Sequence, residues 1–187
     1  MYMYDGLDII AVTARKLCPR PLWQQISRIR EAGITRVILR EKDLGPEEYL
    51  TLAERVLQAC DDCGVMLTIH SFPEAARTLG VSSLHMPLSR LTEDICRQFE
   101  TVGTSVHSHE QLRQAESLGA DYLTAGHIFS TDCKKDLPPR GLDFLAALCS
   151  RSSVPVYAIG GIGIEKLPQI AQAGAAGACI MSAAMIL

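Results

Sequence analysis

Eight short apolar runs, separated by stretches with helical periodicity, constrain this chain more than any other feature. They are "DIIAVT" (8–13), "RVILR" (36–40), "MLTIH" (66–70), "SLHM" (83–86), "TVGTSVH" (101–107), "YLTAG" (122–126), "VYAIG" (156–160) and "ACIMS" (178–182). Most are continuous rather than alternating, as parallel strands buried on both faces require. Between them lie segments such as "RPLWQQISRIREAG", with Leu22, Ile26 and Ile29 on one face and a glycine stop. "GPEEYLTLAERVLQACDDCG" opens on Pro and acids and closes on Gly, the usual asymmetry of a helix. Strand and helix in strict alternation predict an α/β fold, a single (β/α)8 TIM barrel over residues 1–187. An open doubly wound sheet is the alternative. The eighth helix is expected to be truncated or absent, because Leu187 follows the last run within a few residues. Either that helix lies outside this sequence or a partner chain, as in a homo-oligomer, covers the flank.

A length of 187 residues suits one domain, and a net charge of −3 with no basic stripe argues against nucleic acid. No run is long enough to span a membrane, and "MYMYDGLDII" lacks a charged leader and cleavage site, so a cytoplasmic location is expected. The seven cysteines are scattered and odd in number, unlike a disulfide framework. Cys60 and Cys63 form a CxxC, but it falls late in a helical stretch with no second ligand pair.

In such barrels chemistry gathers at the C-terminal ends of the strands. Those ends supply Arg40 with Lys42, His70, Ser105 with His107, Gly126-His127, Gly160-Gly161 and Ser182. Cations, hydroxyls and imidazoles dominate, which suits a small anionic substrate. The "AIGGIGIEKL" loop brings backbone N–H groups to a helix start, and with Ser182 it is expected to cradle a phosphate. Arg40 and Lys42 flank Glu41 and are expected to bind an anion. Among the histidines, His109 is expected to face solvent, His107 to cap a helix, His85 to point away from the mouth and His70 to line the pocket. His127 follows a glycine and precedes Thr131, Asp132 and Lys134. Imidazole exchanges protons near neutrality, so the residues alone leave His127 open as a catalyst or a loop residue.

Taken together, "ILREKD", "GADYLTAGHIFSTDCKK", "YAIGGI" and "AGAAGACIMSA" resemble the thiamine phosphate synthase and TenI superfamily over essentially the whole chain. "AGHIFSTDCKK" looks especially like the TenI branch. The synthases of this superfamily bind Mg²⁺ and a pyrimidine pyrophosphate through an Asn-Asp after the third strand and an acid after the fourth. Here those places read His70-Ser71 and "MPLSR" (86–90). The TenI resemblance implies a thiazole tautomerase that aromatises a carboxylated dihydrothiazole ethyl phosphate, with catalysis by His127. Arg40, Lys42, His70, Ser105, Thr131, Lys134, Gly160, Gly161 and Ser182 would then bind the thiazole phosphate, with no metal and no cofactor. An Mg²⁺-dependent thiamine phosphate synthase and a non-catalytic regulatory protein are the alternatives.

Overall fold

A computed structural model describes residues 7–131 and 137–187. Its strands are β1 Asp8–Val12, β2 Arg36–Leu39, β3 Met66–His70, β4 Ser83–Pro87, β5 Thr101–Val106, β6 Tyr122–Gly126, β7 Val156–Ile159 and β8 Gly177–Ile180. They follow one another in chain order around a closed barrel, so no switch point of a doubly wound sheet exists. The helices are α1 Leu22–Glu31, α2 Pro46–Cys63, α3 Pro73–Leu79, α4 Glu93–Gln98, α5 His109–Ser117, α6 Gly141–Cys149 and α7 Leu167–Gln172. After the last strand comes only a single turn, α8 Ser182–Met185. No helix among the described residues is long and apolar enough to cross a membrane.

The described chain forms two compact units, one of Ile9–His85 with Met181–Leu187, the other of Asp8 with Met86–Ile180. In the first unit, α2 shows how sequence becomes packing. Pro46 sits in its first turn, Glu48 Oε2 accepts the Gly45 N–H at 3.1 Å, and Gly64 closes the helix at φ 66°. Tyr49, Ala53, Val56 and Cys60 recur at helical spacing and are fully buried. Burying a side chain such as Val56 contributes roughly 1.5–3 kcal/mol. Cys60 of the CxxC therefore belongs to the core stripe, and burial pushes its thiol up to about 12. The Tyr49 hydroxyl donates to the Leu39 carbonyl at 2.6 Å and accepts the His70 N–H at 3.1 Å, fixing the ends of β2 and β3 together. Gln25, buried on α1, donates to the Ala184 carbonyl at 2.8 Å and so seats α8.

In the second unit the Tyr122 and Tyr157 rings meet edge to face at 5.7 Å. Gly103 makes room for them, since a Cβ there would lie 2.0 Å from the Tyr122 ring. Ser108 caps α5, its hydroxyl accepting the Gln111 N–H. His107, expected in that role, is one residue too early and turns elsewhere.

Candidate functional site

At the end of β2 the three residues Arg40, Glu41 and Lys42 separate by charge. Glu41 is buried, and its carboxylate accepts from Thr13 Oγ1 at 2.7 Å, from the Arg15 N–H at 3.0 Å and from Arg15 Nη1 at 3.0 Å. Thr13 Oγ1 in turn accepts the Arg40 N–H at 2.9 Å. Asp43 is engaged by Arg15 and Lys16, and hydrogen bonding from Arg15 holds its carboxyl well below the usual range. The acids of this segment are thus committed to Arg15 and Lys16. Arg40 and Lys42 instead act on the imidazoles of His70 and His85, whose protonation they oppose.

His70 and His85 are register partners on β3 and β4. Their rings stack at 5.5 Å with 16° between planes. His85, expected to point away, is thereby drawn onto the residue expected to line the pocket. Both are buried. Desolvation chiefly, then the His85 charge for His70 and the Arg40 and Lys42 charges for both, push each imidazole down to about 3. Both rings are therefore neutral near pH 7. Ser71 follows with φ 69°, its Oγ 2.8 Å from His70 Nδ1 and its N–H donating to the His85 carbonyl at 2.9 Å. Ser182 opens α8 as expected, but that helix of four residues has too few aligned peptides to serve as an anion site.

In the second unit Ser105 Oγ pairs with Thr124 Oγ1 at 2.8 Å. His127 and His107 line a cavity of about 450 Å³ with Leu137, Pro138, Pro139 and Arg140. His107 Nδ1 donates to the Gly126 carbonyl at 2.6 Å, and His127 Nε2 donates to the Leu137 carbonyl at 3.2 Å. Sequence reading placed His107 at a strand end but expected it to cap a helix, and it gave no sign of Arg140. For His107 the available signal was its place just past β5, equivalent to that of His127 past β6. Thr131 is half-buried, and Lys134 lies outside the described residues.

Gly160 and Gly161 have φ of 103° and 65°. A Cβ on Gly160 would lie 2.3 Å from His127 Cβ, and one on Gly161 would lie 2.2 Å from the Ser130 carbonyl oxygen. The segment after β6 hydrogen-bonds onto this turn through Ile128 N to Ile159 O and Phe129 N to Gly160 O, both 3.0 Å. Lys166 ties the turn down, donating to the Gly161 carbonyl at 2.5 Å and lying 4.6 Å over the Phe129 ring. Close approach of this neighbouring segment accounts for both glycines, so they no longer argue for a ligand by themselves. The helix start expected to add positive charge is a 3-10 turn, Ile164–Lys166, leading into a six-residue α7.

With this geometry in hand, the chain matches the family model described as thiamine monophosphate synthase over residues 9–184. It is 36% identical over 184 residues to the thiamine-phosphate synthase of Syntrophomonas wolfei, covering 95% of this chain and 88% of the relative. It is 34% identical over 166 residues to the thiamine-phosphate synthase of Thermus thermophilus, covering 84% of this chain and 81% of that one. The solved structure of thiamine phosphate pyrophosphorylase from Pyrococcus furiosus superimposes with a TM-score of 0.84 at 24% identity, covering 98% of this chain and 90% of the other. These relatives are named as synthases, which overturns the expectation of a thiazole tautomerase. The physical reason for the misreading is plain: one imidazole past a strand end does not distinguish a proton carrier from a hydrogen-bond donor.

Proposed function

The chain belongs to the thiamine monophosphate synthase family, and from that premise we propose that it is a transferase coupling a thiazole phosphate to a pyrimidine pyrophosphate. The observation that carries this reading is its near full-length likeness to relatives named for that synthesis. The chemistry of the first unit supports it. Arg40, Lys42 and neutral His70 offer donors and positive charge at the end of β2 and β3. Such groups stabilise a pyrophosphate that leaves with the electron pair of its C–O bond while the thiazole nitrogen forms the new C–N bond. Thr13 and Glu41 hold the backbone that carries both cations.

The superfamily's Mg²⁺ does not fit here. Its carboxylate positions are His70-Ser71 and "MPLSR", and hard cations require oxygen ligands, chiefly carboxylates. Among the described residues no group of three or more His, Cys, Asp or Glu is placed to hold a metal. Glu41 and Asp43 are taken by Arg15 and Lys16. No step of the proposed reaction is therefore routed through a metal.

The test is incubation of the protein with thiazole phosphate and pyrimidine pyrophosphate, with thiamine phosphate identified by mass. Product above an enzyme-free control supports the assignment. Absence of product from a protein shown calorimetrically to bind both compounds overturns it.

A further inference from the structure

We propose that Ser71 is a positioning residue that holds His70 in the tautomer with its proton on Nε2, making a neutral imidazole a fixed donor to a ligand oxyanion. Among the described residues Ser71 is the one non-glycine with positive φ, at 69°. That conformation costs on the order of 1 kcal/mol or more and persists only where its surroundings impose it. Two contacts do so here: the Ser71 N–H donates to the His85 carbonyl at 2.9 Å, and its hydroxyl lies 2.8 Å from His70 Nδ1. The turn thus folds the serine back over the histidine that precedes it.

A neutral imidazole has one N–H and one lone pair. If the hydroxyl donates to Nδ1, its own proton is used and the ring proton must sit on Nε2. In the reverse arrangement the half-exposed hydroxyl would give its proton to solvent rather than to the protein, and the tautomer is what the experiment below reads. The ring is held from another side by the His85 stack, and the Tyr49 hydroxyl, accepting the His70 backbone N–H, fixes the main chain that carries it. A Ser-His pair also suggests a nucleophile and its base, but the chemistry here opposes it. Burial and the charges of Arg40 and Lys42 keep His70 from taking up the serine proton. What remains is a donor that tolerates neighbouring cations, where an imidazolium would be repelled. Beside Arg40 and Lys42 it suits a multiply charged oxyanion of the phosphate class. Only the identity of that anion rests on the proposed reaction; the tautomer does not.

The experiment uses the full chain labelled with ¹⁵N-histidine and long-range ¹H–¹⁵N correlation, with calorimetry of inorganic pyrophosphate in EDTA. In the wild type His70 should show a protonated Nε2 and an unprotonated Nδ1. Ser71→Gly suits the positive φ and removes the hydroxyl together with its Cβ. It should keep a folded spectrum, bring His70 into tautomer exchange and weaken pyrophosphate in proportion to the Nε2–H population lost, about twofold for an even mixture. An Nδ1 proton in the wild type overturns the proposal without any variant. So does a Ser71→Gly protein with unchanged tautomer or unchanged pyrophosphate affinity. Neither readout involves turnover, so failure to form thiamine phosphate would strike the proposed reaction and leave this inference standing.

Discussion

The Thr13 hydroxyl stands 2.7 Å from the buried Glu41 carboxylate and simultaneously accepts the Arg40 N–H. One small side chain on the segment after β1 therefore sets the path of the cation-bearing segment after β2. Thr13→Val keeps the volume and removes both bonds. Loss of a hydrogen bond to a charged group and of a buried N–H partner should cost about 2–3 kcal/mol. Urea unfolding measures the loss, and calorimetry of pyrophosphate should show weakened binding. Full stability in this variant would mean that Arg15 alone suffices to hold Glu41.

The His70–His85 pair gives stability a defined pH dependence. Each imidazole has an ordinary value of 6.5 and is pushed down to about 3 in the fold. As pH falls below about 6.5 the unfolded chain takes up protons that the native chain refuses. The contribution is fully present above that value and is lost progressively toward about 3. Each histidine adds a slope approaching about 1.4 kcal/mol per pH unit in that window. His85→Phe retains a stacked ring without a titrating nitrogen. Its urea midpoint should fall less between about pH 7 and about pH 5 than that of the wild type. Identical slopes would mean that His85 protonates within the folded protein.

Gly160 and Gly161 should tolerate no side chain, because His127 Cβ and the Ser130 carbonyl already occupy the space. Gly161→Ala meets backbone and a φ of 65° together, and should cost about 3 kcal/mol or more from overpacking plus strain. Gly174→Ala is the comparison: its φ is 82°, but the nearest atom is Cys149 Cβ at an ordinary 3.6 Å. That change should cost only about 1–2 kcal/mol. Equal losses in chemical denaturation would remove the steric argument for the turn.

Metal dependence follows from the donor set. Affinity for thiazole phosphate should be the same in EDTA and in Mg²⁺, measured by calorimetry. A marked gain with Mg²⁺ would require oxygen ligands beyond those that the described residues bring together.

The barrel was legible because eight continuous apolar runs carry the signature of strands buried on both sides. The position of Arg40 and Lys42 just past β2 was legible for a related reason, since the length of that strand is plain; their binding of an anion belongs to the proposal. The His70–His85 stack was not, because it depends on the register between β3 and β4, and periodicity within one strand does not encode its offset from the next. Gly160 and Gly161 were located correctly as a turn, but the packing that also requires them was not legible. Nothing local announces that the segment after β6 lies against them. His107 was assigned to a cap that Ser108 fills one residue later, a displacement within the usual uncertainty of helix ends.

The central claim is tested most directly by counting pyrophosphate released against thiamine phosphate formed from thiazole phosphate and pyrimidine pyrophosphate. The wild type should release one pyrophosphate per thiamine phosphate. The Arg40→Ala, Lys42→Ala double variant should slow both together by roughly two orders of magnitude or more, the scale of losing preorganised charge at a leaving group. Pyrophosphate release without thiamine phosphate, or neither product from a protein that binds both substrates, would contradict the assignment.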